Sequence, residues 1–308
     1  MPLLNFRDPA SVADPRSDRI RPGILFRSAQ PDPVADAEIV GELHAHGIRV
    51  VVDLRSPDER DDDDWSAAEA AGITVVRAPI VPDDTDAIAG PGITDLRTSA
   101  DLGRFYADLA TSAPTAVADA VRAAAGPGAA LVHCAAGKDR TGLLVALLLE
   151  LVGVSDDKIA DDYVRTAAAL PEILAALATR HRIALNDGAA GDEGDGTPGR
   201  PVVSAPLLQA PREAIEVFLE TVRARHGSAE DFLLGCGVEA AAIDGFRAKA
   251  TTEAVIEATV EAVTEATAEA PSTTATAVPR PAFSATAAPR PALSASPSPC
   301  RPAGEPRS

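Results

Sequence analysis

Cys134 and Arg140 are the residues of this chain best placed to do chemistry, in the run Val132-His133-Cys134-Ala135-Ala136-Gly137-Lys138-Asp139-Arg140-Thr141-Gly142. The short apolar stretch Ala129-Ala130-Leu131-Val132 precedes them, and a long apolar stretch begins near Thr141. A strand, a tight loop and a helix start in that order direct backbone N–H groups inward at the positive end of a helix dipole, which cradles a tetrahedral dianion. A cysteine at the base makes such a cradle reactive. A free thiol titrates near ~8.5 and is mostly protonated at neutral pH, but a helix N-terminus, a nest of amides and a guanidinium all favour the nucleophilic thiolate. The pattern predicts attack of Cys134 on phosphorus and a phosphocysteine that water then hydrolyses. Arg140 adds a fork of donors for two equatorial phosphoryl oxygens, which one lysine ammonium cannot replace.

The neighbours fit the same chemistry. Gly137 and Gly142 suit tight curvature and close approach of backbone to ligand. The loop residues Ala135, Ala136, Gly137, Lys138, Asp139 and Thr141 are expected to bind substrate, with the Thr141 hydroxyl placed to hydrogen-bond the cysteine sulfur. His133 is expected to orient the loop without moving protons. Lysine occurs only at 138, 158 and 249, so Lys138 stands out as added positive charge for an anionic substrate. Asp139 has two readings of equal weight: it positions water or acts as an acid, or it orients Arg140 or Lys138 through a salt bridge. By contrast, Cys236, in Phe232-Leu233-Leu234-Gly235-Cys236-Gly237, reads as an inert core cysteine.

This loop resembles the H-C-x-x-G-x-x-R-[ST]-G signature of the protein-tyrosine phosphatase superfamily. Other segments sharpen the resemblance: Asn5-Phe6-Arg7-Asp8, Arg21 to Ser28 (RPGILFRS), Gly47 to Ser56 (GIRVVVDLRS) and Ala160-Asp161-Asp162-Tyr163-Val164-Arg165. With the Lys-Asp-Arg-Thr loop they are similar to a bacterial tyrosine-phosphatase-like group represented by a secreted mycobacterial enzyme. The similarity covers roughly residues 4–249, and departs at Pro9-Ala10, where many members carry a glycine pair.

The resemblance implies a general acid on a separate upstream loop, often after a proline. Pro79-Ile80-Val81-Pro82-Asp83-Asp84-Thr85-Asp86 offers Asp83 first and Asp84 next, with Asp139 or Asp86 behind them. It also implies phosphotyrosine as substrate, with phosphoserine, phosphothreonine or phosphoinositides accepted by some members. Lysine in the loop occurs in relatives that handle phosphoinositides. A phosphoinositide phosphatase using the same loop is therefore the alternative, and an idle phospho-binding module a more distant one. Asp53 and Arg55, in the Asp-Leu-Arg trio, are implied to brace the loop. Helices around 158–182 are implied to form a lid. No cofactor or metal is called for.

The elements that must position these residues follow from periodicity. Strands are expected near 24–27, 48–54, 73–77 and 129–132. Helices are expected over 35–46, around Leu102, Phe105, Tyr106 and Leu109, and over 115–125, 141–152, 156–169, 172–182, 212–226 and 238–247. Strands alternating with helices predict an α/β fold, with a mainly parallel sheet flanked by helices and the reactive loop at a strand's C-terminal end.

Composition bounds the rest. A catalytic domain is expected over 1–250 of the 308 residues. Over 251–270 glutamate recurs at 253, 257, 261, 265 and 269, so like charges four apart weaken any helix, which is expected to be marginal. The Pro/Ala/Ser-rich stretch 271–308, with Cys300, reads as a disordered tail whose Pro-Arg-Pro units are candidate partner-docking segments. Net charge −18 argues against nucleic acid as a partner. The acidic run from Asp58 to Asp64 reads as a solvated loop face, with calcium binding the weaker reading. No signal-like segment follows Met1, no stretch is long enough to cross a bilayer, and three cysteines lack pairing spacing. A cytoplasmic protein is expected, although relatives are exported without an obvious signal.

Overall fold

The computed structural model describes residues 3–12, 20–31, 37–61, 64–81, 96–181 and 205–251. Four parallel strands, β1 (Leu25–Ser28), β2 (Ile48–Asp53), β3 (Thr74–Arg77) and β4 (Ala129–His133), form one sheet in the order β1-β4-β2-β3. Alternation sends successive side chains to opposite faces. Leu25, Val50, Val52, Ala130 and Val132 join the core on one face, and Phe26, Ile48, Val51, Ala129 and Leu131 that on the other. Burial on both sides explains why β2 and β4 read as continuous apolar runs. The expected strands thus fall where the sequence places them, within a residue or two.

One face is covered by α1 (Ala37–Ala45) and α2 (Ser66–Ala70), with Leu3 and Trp65 buried beside them. The other carries α3 (Ser99–Ser112), α4 (Pro114–Ala125), α5 (Asp139–Leu151) and α8 (Arg212–His226). Every residue of α5 from Thr141 to Leu149 is buried, as expected of a helix apolar on all sides. The short helix α9 (Ala229–Gly235) and α10 (Ala240–Ala250) complete this layer.

Two helix boundaries differ from expectation. The pair after the loop is α6 (Asp156–Val164) and α7 (Thr166–His181), so the break falls at Arg165 and Pro171 lies inside α7. Arg165 N–H closes α6 on the Asp162 carbonyl at 3.2 Å, and Asp162 is itself anchored to the N-terminal segment, which fixes the break there. The 238–247 helix starts at Ala240, because the preceding residues form α9 and its turn, with Cys236 half-buried at the α9 C-cap.

The fold also reaches slightly past Arg247. Ala250 is buried, its carbonyl accepts from Arg21 N–H at 2.7 Å, and Lys249 donates to the Ala124 and Gly126 carbonyls at 2.8 and 2.6 Å. The expected helix up to 270 and the tail with Cys300 lie outside the described residues. No helix among the described residues is long and apolar enough to cross a membrane.

Because all four strands run the same way, their C-terminal ends meet at one edge. Ser28 and Asp53 both pair with His133, the last residue of β4. The chain leaves β4 at Cys134 between two neighbouring strand ends, the usual place for a ligand site in an open α/β sheet.

Candidate active site

Cys134 is buried directly after β4, and Asp139 opens α5. From Ala135 through Arg140 the backbone N–H groups find no acceptor among the described residues. The carbonyls, in contrast, are tied outward. The Ala135 carbonyl accepts from Gln30 N–H at 3.1 Å, and the Gly137 carbonyl from Arg27 Nη2 at 2.7 Å and Asn5 Nδ2 at 3.1 Å. Gly137 has φ +64° and sits so close to β1 that a Cβ there would lie 2.2 Å from the Ser28 carbonyl oxygen. Only glycine fits. A Cβ on Gly142 would meet the Tyr163 ring at 2.9 Å.

Arg140 is held by Glu59, which neither composition nor spacing singles out. Nη1 and Nη2 donate to the two carboxylate oxygens at 2.5 and 2.6 Å, and Nη1 also to the Leu54 carbonyl at 3.4 Å. A guanidinium has five N–H donors. The Nε–H and one Nη2–H are therefore uncommitted among the described residues, and they lie on one edge, the geometry that grips two oxygens of a phosphoryl group. Burial pushes Glu59 up, but the Arg140 guanidinium and the Ser56 N–H and hydroxyl outweigh it and hold the carboxyl at about 2. Burial opposes the charge on Arg140 too, yet Glu59 and the nearby Cys134 sulfur raise it above the ordinary arginine value.

This pair corrects the reading of 58–64 as a solvated face. Glu59 serves Arg140, and Asp64 is buried against Arg55 at 3.0 Å, so two of the acids act inside the site. Arg55 also donates to Asp53 from Nε at 2.9 Å and Nη2 at 2.7 Å, and to Gln30 Oε1 at 3.0 Å. Burial raises the Asp53 carboxyl, but His133 and Arg55 bring it down to about 2. Asp53 and Arg55 are thus tied to each other, and Arg55 to Gln30, at the strand ends. His133 Nδ1 lies 3.2 Å from the Cys134 carbonyl, and burial lowers its imidazole below the ordinary value.

Lys138 and Asp139 are occupied within the protein. The Lys138 ammonium donates to the Leu207 and Gln209 carbonyls and lies 3.1 Å from Asp139. Its expected role as free charge for the substrate is not what this geometry provides. Asp139 accepts from Tyr106 OH, whose oxygen is 2.8 Å from Tyr163 OH. Of the two readings of Asp139, the salt bridge to Lys138 is the one formed. The Thr141 hydroxyl is buried without a partner among the described residues, so the expected bond to sulfur is not made here. Cys236, away from the site, is pushed up to about 11 by burial, as suits an inert thiol.

Asp83, Asp84 and Asp86 lie outside the described residues. The chain approaching them is described: Ala78 N–H and Ile80 N–H donate to the Asp53 and Leu54 carbonyls at 2.9 and 3.3 Å. Beside the loop opens a cavity of about 360 Å³, with Leu4, Ala29, Gln30 and Ala135 on one wall and Glu172, Ile173, Ala176 and Thr179 of α7 on the other.

A parallel sheet flanked by helices brings a buried cysteine and an arginine into one loop at the C-terminal edge of its strands. The model of the tyrosine phosphatase family matches residues 2–252, and the chain belongs to that family. A Cupriavidus necator protein assigned as a tyrosine-protein phosphatase is 30% identical over 239 residues, covering 75% of this chain and 80% of that one. The triple specificity protein phosphatase PtpB of Mycobacterium tuberculosis is 28% identical over 272 residues, 79% of this chain and 95% of the relative.

Proposed function

We propose that the chain hydrolyses phosphotyrosine through a phosphocysteine intermediate, with Cys134 as nucleophile, Arg140 as phosphate-binding group and Asp83 as general acid. The observation that carries this reading is the loop itself: free inward amides from Ala135 to Arg140, a buried cysteine at their base, and one open edge of Arg140. In the first step the Cys134 sulfur attacks phosphorus and the bond to the tyrosyl oxygen breaks. Asp83 gives that oxygen its proton. In the second step water attacks the phosphocysteine, the Asp83 carboxylate takes its proton, and the sulfur–phosphorus bond breaks to release phosphate and thiolate. The amides and Arg140 stabilise the charge on the equatorial oxygens in both.

Asp83 is preferred over Asp139 because Asp139 already accepts from Tyr106 OH and faces Lys138, contacts that suit a fixed acceptor. Reach supports it as well. The Leu54 carbonyl accepts from both Ile80 N–H and Arg140, and Asp83 follows Ile80 by three residues, a span of at most ~11 Å. Asp84 is the next choice. The name of PtpB, a triple specificity protein phosphatase, supports acceptance of more than one class of phosphorylated substrate.

A panel of phosphotyrosine, phosphoserine and phosphothreonine peptides beside short-chain phosphoinositides tests the substrate. The highest kcat/KM is expected for phosphotyrosine. A higher value for a phosphoinositide would replace this reading with the lipid one.

A further inference from the structure

Three of the four segments that carry the family resemblance outside the loop meet at the Gly137 carbonyl oxygen, two by direct bonds and one through Arg27. Arg27 from β1 donates to it at 2.7 Å and Asn5 from the N-terminal segment at 3.1 Å. Arg27 is fully buried and is itself gripped by Asp162 of α6 at 2.6 Å, which Arg7 holds from its other oxygen at 2.6 Å. Burial works against the Asp162 charge, and the two arginines override it. Two cations and one anion, packed away from water, are a costly way to fill space. Their geometry suggests what they are for.

In a trans peptide the carbonyl and the following N–H point in opposite directions within one plane. Two donors that draw the Gly137 carbonyl outward therefore turn the Lys138 N–H toward the inside of the loop. Gly137 needs such a pin. The close approach of Ser28 excludes any side chain there, and the glycine that results leaves its peptide free to rotate. We propose that Asn5, Arg27 and Asp162 are positioning residues, which set the anion cradle by fixing the Gly137–Lys138 peptide. The surplus positive charge of Arg7 and Arg27 over Asp162 also lies beside a loop that must receive a dianion.

The inference rests on reading the loop as a phosphate cradle, so its test measures anion binding apart from turnover. Asn5→Gly is the cleanest variant. Asn5 has φ +58°, which glycine adopts freely, so only the amide side chain is lost. Arg27→Lys keeps the charge and removes the fork. For each variant, binding of orthovanadate is followed by calorimetry, kcat and KM are measured with an aryl phosphate, and thermal unfolding reports the folded fraction. Both variants are expected to bind vanadate about tenfold more weakly and to lose about tenfold in kcat, with KM changed less. A charge effect alone would spare Arg27→Lys. Unchanged vanadate affinity and kcat in Asn5→Gly would overturn the proposal, even if Arg27→Lys does not fold. Wild type that fails to bind vanadate would instead overturn the reading of the loop.

Discussion

Replacing Glu59 with glutamine tests whether Arg140 is aligned by its partner or by the loop alone. Glutamine keeps the volume but turns one oxygen into a donor that faces a donor. The folded Glu59 carboxyl sits at about 2 against an ordinary 4.5, a difference worth about 3 kcal/mol when each unit is ~1.4 kcal/mol. Its side chain is 28% exposed, so water screens part of this, and a loss of about 1–3 kcal/mol is expected at neutral pH. The sign follows from the depressed value. The contribution is complete above about pH 4.5 and fades as pH falls toward about 2, with more than half gone by about pH 3. Urea unfolding of wild type and Glu59→Gln at pH 7 and near pH 3 reads the gap directly. The gap should shrink on acidification, and kcat for an aryl phosphate should drop by about 10- to 100-fold as the guanidinium loses its orientation. A gap that stays constant with pH, or a variant with wild-type kcat, would refute the argument.

Asp83→Ala should lower kcat for a poor, alkyl-like leaving group by about 10²–10³ and for an activated aryl phosphate far less. If Asp84→Ala or Asp139→Ala gives that pattern, the acid is misassigned. Tyr106→Phe keeps the buried ring and removes the hydroxyl that serves Asp139 and Tyr163; denaturant unfolding should show a loss of about 1–3 kcal/mol. A chain ending at Thr251, where the last described contacts of the domain fall, should keep kcat within about twofold of the full chain. Cutting after Arg247 should lower the melting temperature, because the Lys249 bonds and the burial of Ala250 go with it.

What the sequence discloses is set by the range of the interactions involved. β2 and β4 are visible because alternation and apolar runs are local, and the Cys134–Gly142 loop is visible because its spacing is local as well. Glu59 is invisible for the opposite reason. Its partner Arg140 is 81 positions away, and within Asp58–Asp64 it looks like one more solvated acid. Lys138 stands out by rarity, but its ammonium is committed to carbonyls 69 and 71 residues downstream, which no local pattern reveals. Asn5, Arg27 and Asp162 are quotable as segments of a resemblance, while their meeting at Gly137 exists only once β1, α6 and the N-terminal segment are folded together.

The central claim is that phosphoryl passes through the Cys134 sulfur. Rapid acid quench of the full chain during turnover of a phosphotyrosine peptide, followed by mass analysis of the peptide containing Cys134, tests it most directly. One phosphoryl group on Cys134 is predicted in wild type, accumulating further in a variant slowed in the second step, and none in Cys134→Ser, whose turnover should fall to background. Phosphoryl found on another residue, or a Cys134→Ser protein that hydrolyses the peptide at the wild-type rate, would contradict the account.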